Sequence, residues 1–265
     1  MKTLSLVIPV YNAPDLARAA VAAVPELART AEACGFALVE AIFVDDGSAS
    51  PLDLSGTGGS QLVATEATAE QKLIPPVTGA TSCAPPVDYD VPITVLRQPA
   101  NCGKGAAVRR GALEAKGEWV LMSDVDMSAP FAEFARLAEH ADAWMVCGSR
   151  HGRPGMPFRR RLLSRLFHFC VWCVGVRGVY DTQCGFKLFR MDVMRAVFER
   201  QRIMRFAFDV ELIRSVLAAG GDVVEVPVDW RGGERSSLRV FRDAPRMLWD
   251  LLRISSYNQL PHVEQ

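Results

Sequence analysis

Short apolar segments alternate with longer helical patterns along the first 150 residues, and this alternation limits the possible folds more than any other feature. The apolar segments are residues 4–10, 39–45, 93–97, 118–123 and 143–148. The helical patterns cover residues 14–33, 104–116 and 130–140. Strands and helices that alternate in this way are typical of a mostly parallel sheet with helices on its faces. We therefore predict an α/β fold with a Rossmann-like, mixed but mainly parallel sheet flanked by helices.

Length and composition predict a single domain over residues 1–265. Hydrophobic residues make up 49% of the chain, which is sufficient for one large core. The 30 basic and 30 acidic residues cancel, so we expect no nucleic-acid partner. Seven cysteines without a repeating spacing predict reduced thiols and a cytoplasmic location. An apolar strand already begins at Leu4, which predicts that no signal peptide opens the chain.

Residues 51–92, between the second and third strands, differ in composition from the rest. They are rich in Gly, Ser, Thr, Ala and Pro and include few large apolar residues. Such a segment buries too little apolar surface to offset the loss of chain entropy on folding. We therefore predict a flexible insertion over these residues.

Acidic residues stand where two predicted strands end. Asp124 and Asp126 follow the strand 118–123, and Asp45 closes the strand 39–45. The carboxyl ends of parallel strands are where an α/β sheet binds its ligands. Two carboxylates suit a divalent cation that carries a diphosphate, and a third suits the N–H group of a base or a ribose hydroxyl. The helix that opens after Gly103 with Lys104 adds backbone N–H groups and a cation for an anionic nucleotide.

Four motifs in a fixed order resemble the family 2 glycosyltransferases, which have a GT-A fold and use nucleotide-diphosphate sugars. They are V-I-P-V-Y-N at 7–12, D-D-G-S at 45–48, N-C-G-K-G at 101–105 and D-V-D at 124–126. Four more are similar to motifs of dolichyl-phosphate β-glucosyltransferases and related polyprenyl-phosphate glycosyltransferases. These are G-S-R at 148–150, D-T-Q-C-G-F-K-L-F at 181–189, F-D-V-E-L at 208–212 and E-V-P-V-D-W at 225–230.

The resemblance implies a set of residues for the sugar donor. Nucleotide binding is expected from Pro9, Val10, Tyr11, Asn12, Asp45, Gly103, Lys104 and Asp124. Asp124 and Asp126 are expected to act as catalytic carboxylates that bind Mg²⁺ or Mn²⁺. The donor implied by the resemblance is a UDP-sugar.

Two kinds of acceptor place different demands on the protein. A lipid phosphate is already ionised at neutral pH and needs cations to hold it, for which Arg150 and Lys187 are the candidates, with Arg231 or Arg235 as further ones. A hydroxyl acceptor needs a general base, and Asp209 falls where the family has a carboxylate of this kind.

The resemblance implies an inverting, metal-dependent hexosyltransferase that moves a hexose, with glucose favoured, from a UDP-sugar to polyprenyl (dolichyl-type) phosphate. One alternative is an enzyme of the same fold that acts on a soluble hydroxyl acceptor with Asp209 as the base. Another is a non-catalytic nucleotide-binding module.

Two amphipathic helices are predicted near residues 158–179 and 242–257. The first has arginines at 159–161 beside a face of Leu, Phe and Trp, a pattern typical of helices in the membrane interface. Its apolar part of about fifteen residues is shorter than the roughly twenty that span a bilayer. We expect peripheral binding to the cytosolic face of a membrane; packing against the core remains open for both helices, and dimerisation for the second.

Overall fold

The computed structural model describes residues 1–54, 62–65, 90–150, 167–231 and 240–256. The strands in these ranges are β1 (Lys2–Val10), β2 (Phe36–Asp45), β3 (Leu62–Thr65), β4 (Ile93–Arg97), β5 (Trp119–Ser123), β6 (Met145–Ser149), β7 (Phe186–Arg190) and β8 (Val223–Pro227). The helices are α1 (Pro14–Ala33), α2 (Lys104–Glu114), α3 (Phe134–Ala138), α4 (residues 167–173), α5 (Met191–Arg200), α6 (Phe208–Ala218) and α7 (Val240–Ser256), with a 3₁₀ turn at Phe131–Glu133.

The strands form one sheet in the order β3-β4-β2-β1-β5-β7-β6-β8. Among the described strands, β7 alone is antiparallel to its neighbours β5 and β6, and the other pairs are parallel. The predicted mixed, mainly parallel sheet is therefore confirmed. Because β7 runs in the opposite direction, the residues that precede it lie at the same edge as the residues that follow β5 and β6.

Helices cover both faces of the sheet, as the alternation of side chains along β1 illustrates. Leu4, Leu6 and Ile8 pack in the core that includes α1 and α3, while Val7 packs in the core that includes α2, α5 and α6. A period of two residues directs successive strand side chains to opposite faces. The two cores therefore fix the sheet from both faces.

Two elements in the first 150 residues differ from the sequence prediction. β3 adds an edge strand, parallel to β4, within the predicted insertion 51–92. It was missed because four residues in a Gly- and Ser-rich context give too short an apolar signal. Residues 55–61 and 66–89 of the insertion lie outside the described residues. The predicted helix 130–140 consists of the 3₁₀ turn followed by the short α3.

The helix predicted over residues 158–179 ends earlier than expected. Residues 167–173 are helical, and the chain then turns through Gly175 (φ +91°) and Gly178 (φ +80°), backbone conformations that favour glycine. The arginine cluster at 159–161 lies outside the described residues. α7 covers nearly all of the second predicted helix.

None of the helices in the described ranges combines the length and the apolar character needed to cross a bilayer.

Candidate active site

A cleft of about 300 Å³ lies at the carboxyl ends of β1 and β2. Val10, Asn12, Arg18 and residues 48–53 are among its lining residues. Asn12 has a left-handed backbone conformation (φ +50°), and its Oδ1 accepts a hydrogen bond from the N–H of Ala49 at 2.9 Å. Asn12 thus ties the end of β1 to the loop after β2. The structure brings the predicted nucleotide residues Val10 and Asn12 into one wall of this cleft.

Pro9 and Tyr11 flank the cleft residue Val10 but differ in position. Pro9 is inside β1, opposite Val44 of β2, so it lies in the sheet rather than in the cleft wall. Tyr11 follows the strand and is 51% exposed. An exposed aromatic ring at this position offers a face on which a base can stack.

Asp45 holds the loop that forms the cleft. Its fully buried carboxylate accepts hydrogen bonds from the N–H groups of Ser48 (2.8 Å) and Leu52 (3.1 Å), and from Nη1 of Arg97 (2.6 Å). Both oxygens are therefore engaged within the protein. In this arrangement Asp45 positions the loop, because the hydrogen bonds to Ser48, Leu52 and Arg97 already use both oxygens; its contact with a base stays a prediction.

Asp46 follows β2, and its carboxylate lies at the start of α2. Its carboxylate accepts the N–H groups of Cys102 (2.8 Å) and Gly103 (2.9 Å) and Nε2 of Gln98 (2.9 Å). Burial raises the pKa of Asp46 in spite of these hydrogen bonds. The N–H of Gly103, predicted to contact the nucleotide, is thus already donated. Gly103 is needed for a different reason: its φ is +107°, and a Cβ atom would lie 2.4 Å from the carbonyl oxygen of Met204.

Lys104 and Asp124 form an ion pair at the carboxyl end of β5, the strand next to β1, with 2.6 Å between Nζ and Oδ1. Their side chains are 21% and 30% exposed, so the pair is partly shielded from water. The N–H of Asp124 donates to the carbonyl oxygen of Gly185 at 2.9 Å. A Cβ atom on residue 185 would lie 1.9 Å from Oδ2 of Asp124. Glycine at 185 is what allows the carboxylate to occupy this place.

Asp126 lies in the tight turn that follows. Its Oδ1 accepts the N–H of Ser128 at 3.1 Å, and Met127 (φ +46°) donates its N–H to the carbonyl oxygen of Asp124 at 3.0 Å. The carbonyl oxygen of Ser128 accepts the N–H of Arg231 at 2.6 Å. The chain after β8 therefore closes over the turn that carries Asp124 and Asp126.

The carboxylates of Asp124 and Asp126 are suited to bind one divalent cation. Asp124 and Asp126 offer hard oxygen donors of the kind that Mg²⁺ and Mn²⁺ prefer, and Oδ1 of Asp124 already lies against a cationic group. In the part of the chain that the structure describes, no three His, Cys, Asp or Glu side chains are grouped to hold a metal. The remaining ligands of a cation here would come from a diphosphate and water.

Lys187 and Asp209 form a buried ion pair behind this turn. Nζ of Lys187 donates to Oδ1 of Asp209 and to the carbonyl oxygens of Thr182 (3.0 Å) and Cys184 (2.6 Å). These three bonds use all the N–H groups of an ammonium. Burial alone would lower the pKa of Lys187, but the Asp209 carboxylate outweighs it and raises that pKa.

This pair changes the roles expected from the sequence. Lys187 is fully buried and has no N–H group left, so in this arrangement it does not bind a phosphate directly and instead holds the loop 182–184. Asp209 is 3% exposed and bound to Lys187, so its carboxylate does not face an acceptor hydroxyl. A general base must reach the proton that it removes.

Arg150 follows β6 and forms a two-bond fork with Asp181. Nε and Nη2 of Arg150 donate to the two carboxylate oxygens of Asp181 at 2.7 and 2.6 Å. Burial would raise the pKa of Asp181, but the Arg150 guanidinium holds it below its usual value. The carboxylate of Glu225 accepts the N–H groups of Tyr180 (2.6 Å) and Asp181 (3.0 Å), and the Arg150 guanidinium lies 5.1 Å from the ring centre of Trp230.

Four residues of the motifs that carry the family resemblance have positioning roles that the sequence did not predict. Asp46, Asp181 and Gly185 each fix a residue expected in the site, and Glu225 holds the N–H groups of Tyr180 and Asp181. The other candidates differ in what the structure shows: Arg235 lies outside the described residues, and Arg231 has an exposed guanidinium 3.9 Å from Asp229.

Residues 80–198 match the family described as glycosyl transferase family 2. This segment is a family 2 glycosyltransferase domain. It includes Lys104, Asp124, Asp126, Arg150 and Lys187, while the cleft residues of β1 and β2 precede it. The family predicted from the ordered motifs is confirmed.

Curated relatives extend the similarity. The dolichyl-phosphate beta-glucosyltransferase of Dictyostelium discoideum is 36% identical over 174 residues, which are 61% of this chain and 53% of that protein. The human dolichyl-phosphate beta-glucosyltransferase is 34% identical over 175 residues, which are 61% of this chain and 54% of that protein. The chain therefore spans about half the length of the curated relatives that it matches.

Solved structures share the fold at low sequence identity. Glucosyl-3-phosphoglycerate synthase from Mycobacterium tuberculosis, in complex with Mn²⁺, UDP and phosphoglyceric acid, has a TM-score of 0.62 and 14% identity, covering 97% of this chain and 80% of that one. Mannosyl-3-phosphoglycerate synthase from Rubrobacter xylanophilus has a TM-score of 0.59 and 15% identity, covering 96% and 72%. The predicted GT-A fold is confirmed.

Proposed function

We propose that this chain transfers glucose from UDP-glucose to the phosphate of a polyprenyl phosphate, with inversion at the anomeric carbon. The observation that carries the proposal is the Lys104–Asp124 ion pair at the carboxyl end of β5, the neighbour of β1, whose own end lines the cleft. It gathers the charges that a nucleotide diphosphate and its cation require next to a space for the nucleoside. The relatives named dolichyl-phosphate beta-glucosyltransferase support glucose and a lipid phosphate as the two substrates.

On the donor side, each group has a separate task. Tyr11 stacks on the base, and Asn12 together with the Asp45-supported loop forms the walls around the nucleoside. Lys104 binds the diphosphate, while Asp124 and Asp126 would hold Mg²⁺ or Mn²⁺. The cation, when bound, neutralises the charge that develops on the departing diphosphate.

On the acceptor side, Arg150 binds the phosphate. The fork with Asp181 fixes its guanidinium and uses two of its five N–H groups, so others remain for a phosphate oxygen. A phosphate oxygen forms the new bond to the anomeric carbon as the bond to UDP breaks. Because the acceptor is already ionised, no general base is needed.

The environment of Asp209 argues against the alternative of a soluble hydroxyl acceptor. That reaction needs a carboxylate within hydrogen-bond reach of the acceptor hydroxyl. Asp209 is buried and paired with Lys187, so it does not meet this requirement in the observed arrangement.

Exposed apolar side chains support binding to a membrane surface, where the lipid acceptor resides. Phe169 and Trp172 of α4 are 58% and 49% exposed, and Trp249 and Leu252 of α7 are 65% and 56% exposed. Val171 of α4 and Leu251 of α7 are buried in the same core cluster, so both helices are anchored to the domain with apolar residues left outside. We propose a peripheral location at the cytosolic face of a membrane.

The proposal is tested by incubating the purified chain with radiolabelled UDP-glucose and vesicles that contain polyprenyl phosphate. We expect a labelled lipid product that requires Mg²⁺ or Mn²⁺, and much less product from GDP-mannose. Asp126→Asn should reduce the rate by about 10²–10³-fold without lowering Tm, because it removes charge stabilisation at the site. Asp142→Asn is the matched control, since Asp142 is fully exposed and distant from the site.

The possible results separate the parts of the proposal. Transfer to a soluble sugar but not to the lipid phosphate would reverse the choice of acceptor. Failure to bind UDP in the presence of Mn²⁺ would contradict the donor site itself.

A further inference from the structure

Two buried polar atoms near the site have no hydrogen-bond partner in the described part of the chain. They are Oγ of Ser149, a residue that is 2% exposed, and Nε2 of Gln183. Burying a polar group without a partner costs stability, so such groups are uncommon in folded proteins. A ligand that accepts hydrogen bonds would satisfy both atoms.

The register of β6 and β7 places Ser149 near the turn that carries Asp124 and Asp126. In the pairing of β6 with β7, Met145 is opposite Phe189 and Cys147 is opposite Lys187. The contact of Gly148 with the carbonyl oxygen of Phe186 continues this register. Extended by one more residue, it sets Ser149 opposite Gly185, and residues opposite each other have Cβ atoms roughly 5 Å apart. The Cβ position of Gly185 is where the Asp124 carboxylate lies. The register therefore directs the side chain of Ser149 to the sheet face on which the Asp124 carboxylate lies.

Gln183 lies in the loop that precedes β7, at the same edge of the sheet as Ser149. It stands two residues after Asp181, which forms the fork with Arg150, and Arg150 directly follows Ser149. The carbonyl oxygens on either side of Gln183, those of Thr182 and Cys184, are held by Lys187. The loop that carries Gln183 is thus fixed, and its amide is positioned rather than free to turn into solvent.

The three side chains share one chemical property. A serine hydroxyl, an amide N–H₂ and a guanidinium all donate hydrogen bonds. A phosphate monoester presents oxygen atoms that accept them, and one bound between such donors is stabilised by several charge-assisted hydrogen bonds.

We propose that Ser149 and Gln183 complete, with Arg150, the binding site for the phosphate of the acceptor. This inference rests on the proposed function for the identity of the acceptor. The phosphate takes up the two donors that the protein leaves without a partner. Ser149 and Gln183 therefore contribute to affinity for the acceptor and not to the binding of the nucleotide.

Steady-state kinetics with polyprenyl phosphate test the proposal. Ser149→Ala and Gln183→Leu should each raise the KM for the lipid phosphate about tenfold, the effect of losing one hydrogen bond to a charged group. The KM for UDP-glucose should stay unchanged. Ser149→Thr keeps the hydroxyl and should restore most of the affinity.

Thermal unfolding without substrate is a second test, in which the proposal predicts higher stability for a variant that binds the acceptor less well. Ser149→Ala removes a buried hydroxyl that has no partner, so Tm should rise by about 2–4 °C. Ser5→Ala is the matched control, because Ser5 is also buried on a strand but its hydroxyl donates to Glu40 at 2.8 Å. That control should lower Tm and leave both KM values unchanged.

Inorganic phosphate separates this inference from the proposed function. It should raise the Tm of the unaltered chain and have a smaller effect on Ser149→Ala and Gln183→Leu, whichever lipid is the acceptor. A phosphate effect equal in all three proteins, or a lower Tm in Ser149→Ala, would overturn the inference. A third outcome is that phosphate raises the Tm of the unaltered chain but not of the variants, while the unaltered chain does not transfer glucose to polyprenyl phosphate. That outcome would support the phosphate site and contradict the proposed acceptor.

Discussion

The Cα atom of Gly185 packs so closely against Asp124 that a Cβ atom on residue 185 would lie 1.9 Å from Oδ2 of the carboxylate. The two residues are 61 positions apart in sequence, and a hydrogen bond from the N–H of Asp124 to the carbonyl oxygen of Gly185 joins them at 2.9 Å. Only glycine leaves room for this arrangement. The start of β7 therefore fixes the carboxylate that β5 delivers to the site.

Gly185→Ala should abolish transfer, because the added methyl group displaces the Asp124 carboxylate. The expected loss of stability is about 1–3 kcal/mol, typical of overpacking. Activity assays and urea unfolding measure the two effects. Gly35→Ala is the control: its φ of +80° makes alanine unfavourable, but nothing lies within 4 Å of the added Cβ. Gly35→Ala should lose stability and keep activity, and a fully active Gly185→Ala would disprove the packing argument.

Lys104→Met should strengthen the binding of Mn²⁺ in the absence of nucleotide, because the ammonium and the cation compete for Oδ1 of Asp124. We expect a change of about tenfold, measured by the paramagnetic resonance of free Mn²⁺. The same variant should bind UDP more weakly at saturating Mn²⁺, since the diphosphate loses a cation. Lys116→Met is the control, with the same charge change at an 84% exposed side chain beyond the end of α2. Unchanged Mn²⁺ affinity in Lys104→Met would argue against competition.

Lys187→Met should destabilise the fold by about 3–5 kcal/mol, because it leaves the Asp209 carboxylate buried without its partner. The double variant Lys187→Met/Asp209→Leu should recover much of that loss, since it removes both charges. Urea unfolding of the single and double variants gives the comparison. No recovery in the double variant would mean that the contacts of Lys187 with the loop 182–184 dominate the effect.

The Arg150–Asp181 fork should make part of the stability pH-dependent. The pKa of Asp181 is lower in the folded protein than its ordinary value of 3.8, so the fork stabilises the fold above that value and the contribution is lost as pH falls below it. Asp181→Asn should therefore be less stable than the unaltered chain at pH 7, by about 1.5–3 kcal/mol. The difference should shrink below pH of about 4. Chemical unfolding across this range measures it, and a difference that stays constant would contradict the role of the ion pair.

Trp249→Ala in α7 should weaken binding to vesicles of mixed neutral and anionic lipid, because it removes apolar surface that is 65% exposed. Sedimentation of the protein with vesicles measures the bound fraction. Leu16→Ala is the control, since Leu16 is a 44% exposed apolar residue on α1, at the other face of the sheet. An equal loss of vesicle binding in both variants, or no vesicle binding by the unaltered chain, would contradict the proposed membrane surface.

Periodicity and motif order were enough to predict the class of fold and the edge of the sheet that carries the candidate site. Alternating apolar and helical periods reflect local geometry, so β1, β2, β5 and α2 were predictable, and carboxylates that follow a strand in a parallel sheet must lie at its ligand edge. Periodicity does not report which distant segments meet. The pairing of Lys187 with Asp209, which makes both residues internal, and the capture of the Gly103 N–H by Asp46 depend on contacts across the folded chain. The folded chain was needed to see which charged residues remain available for ligands, because burial and hydrogen bonding are set by neighbours that are remote in sequence.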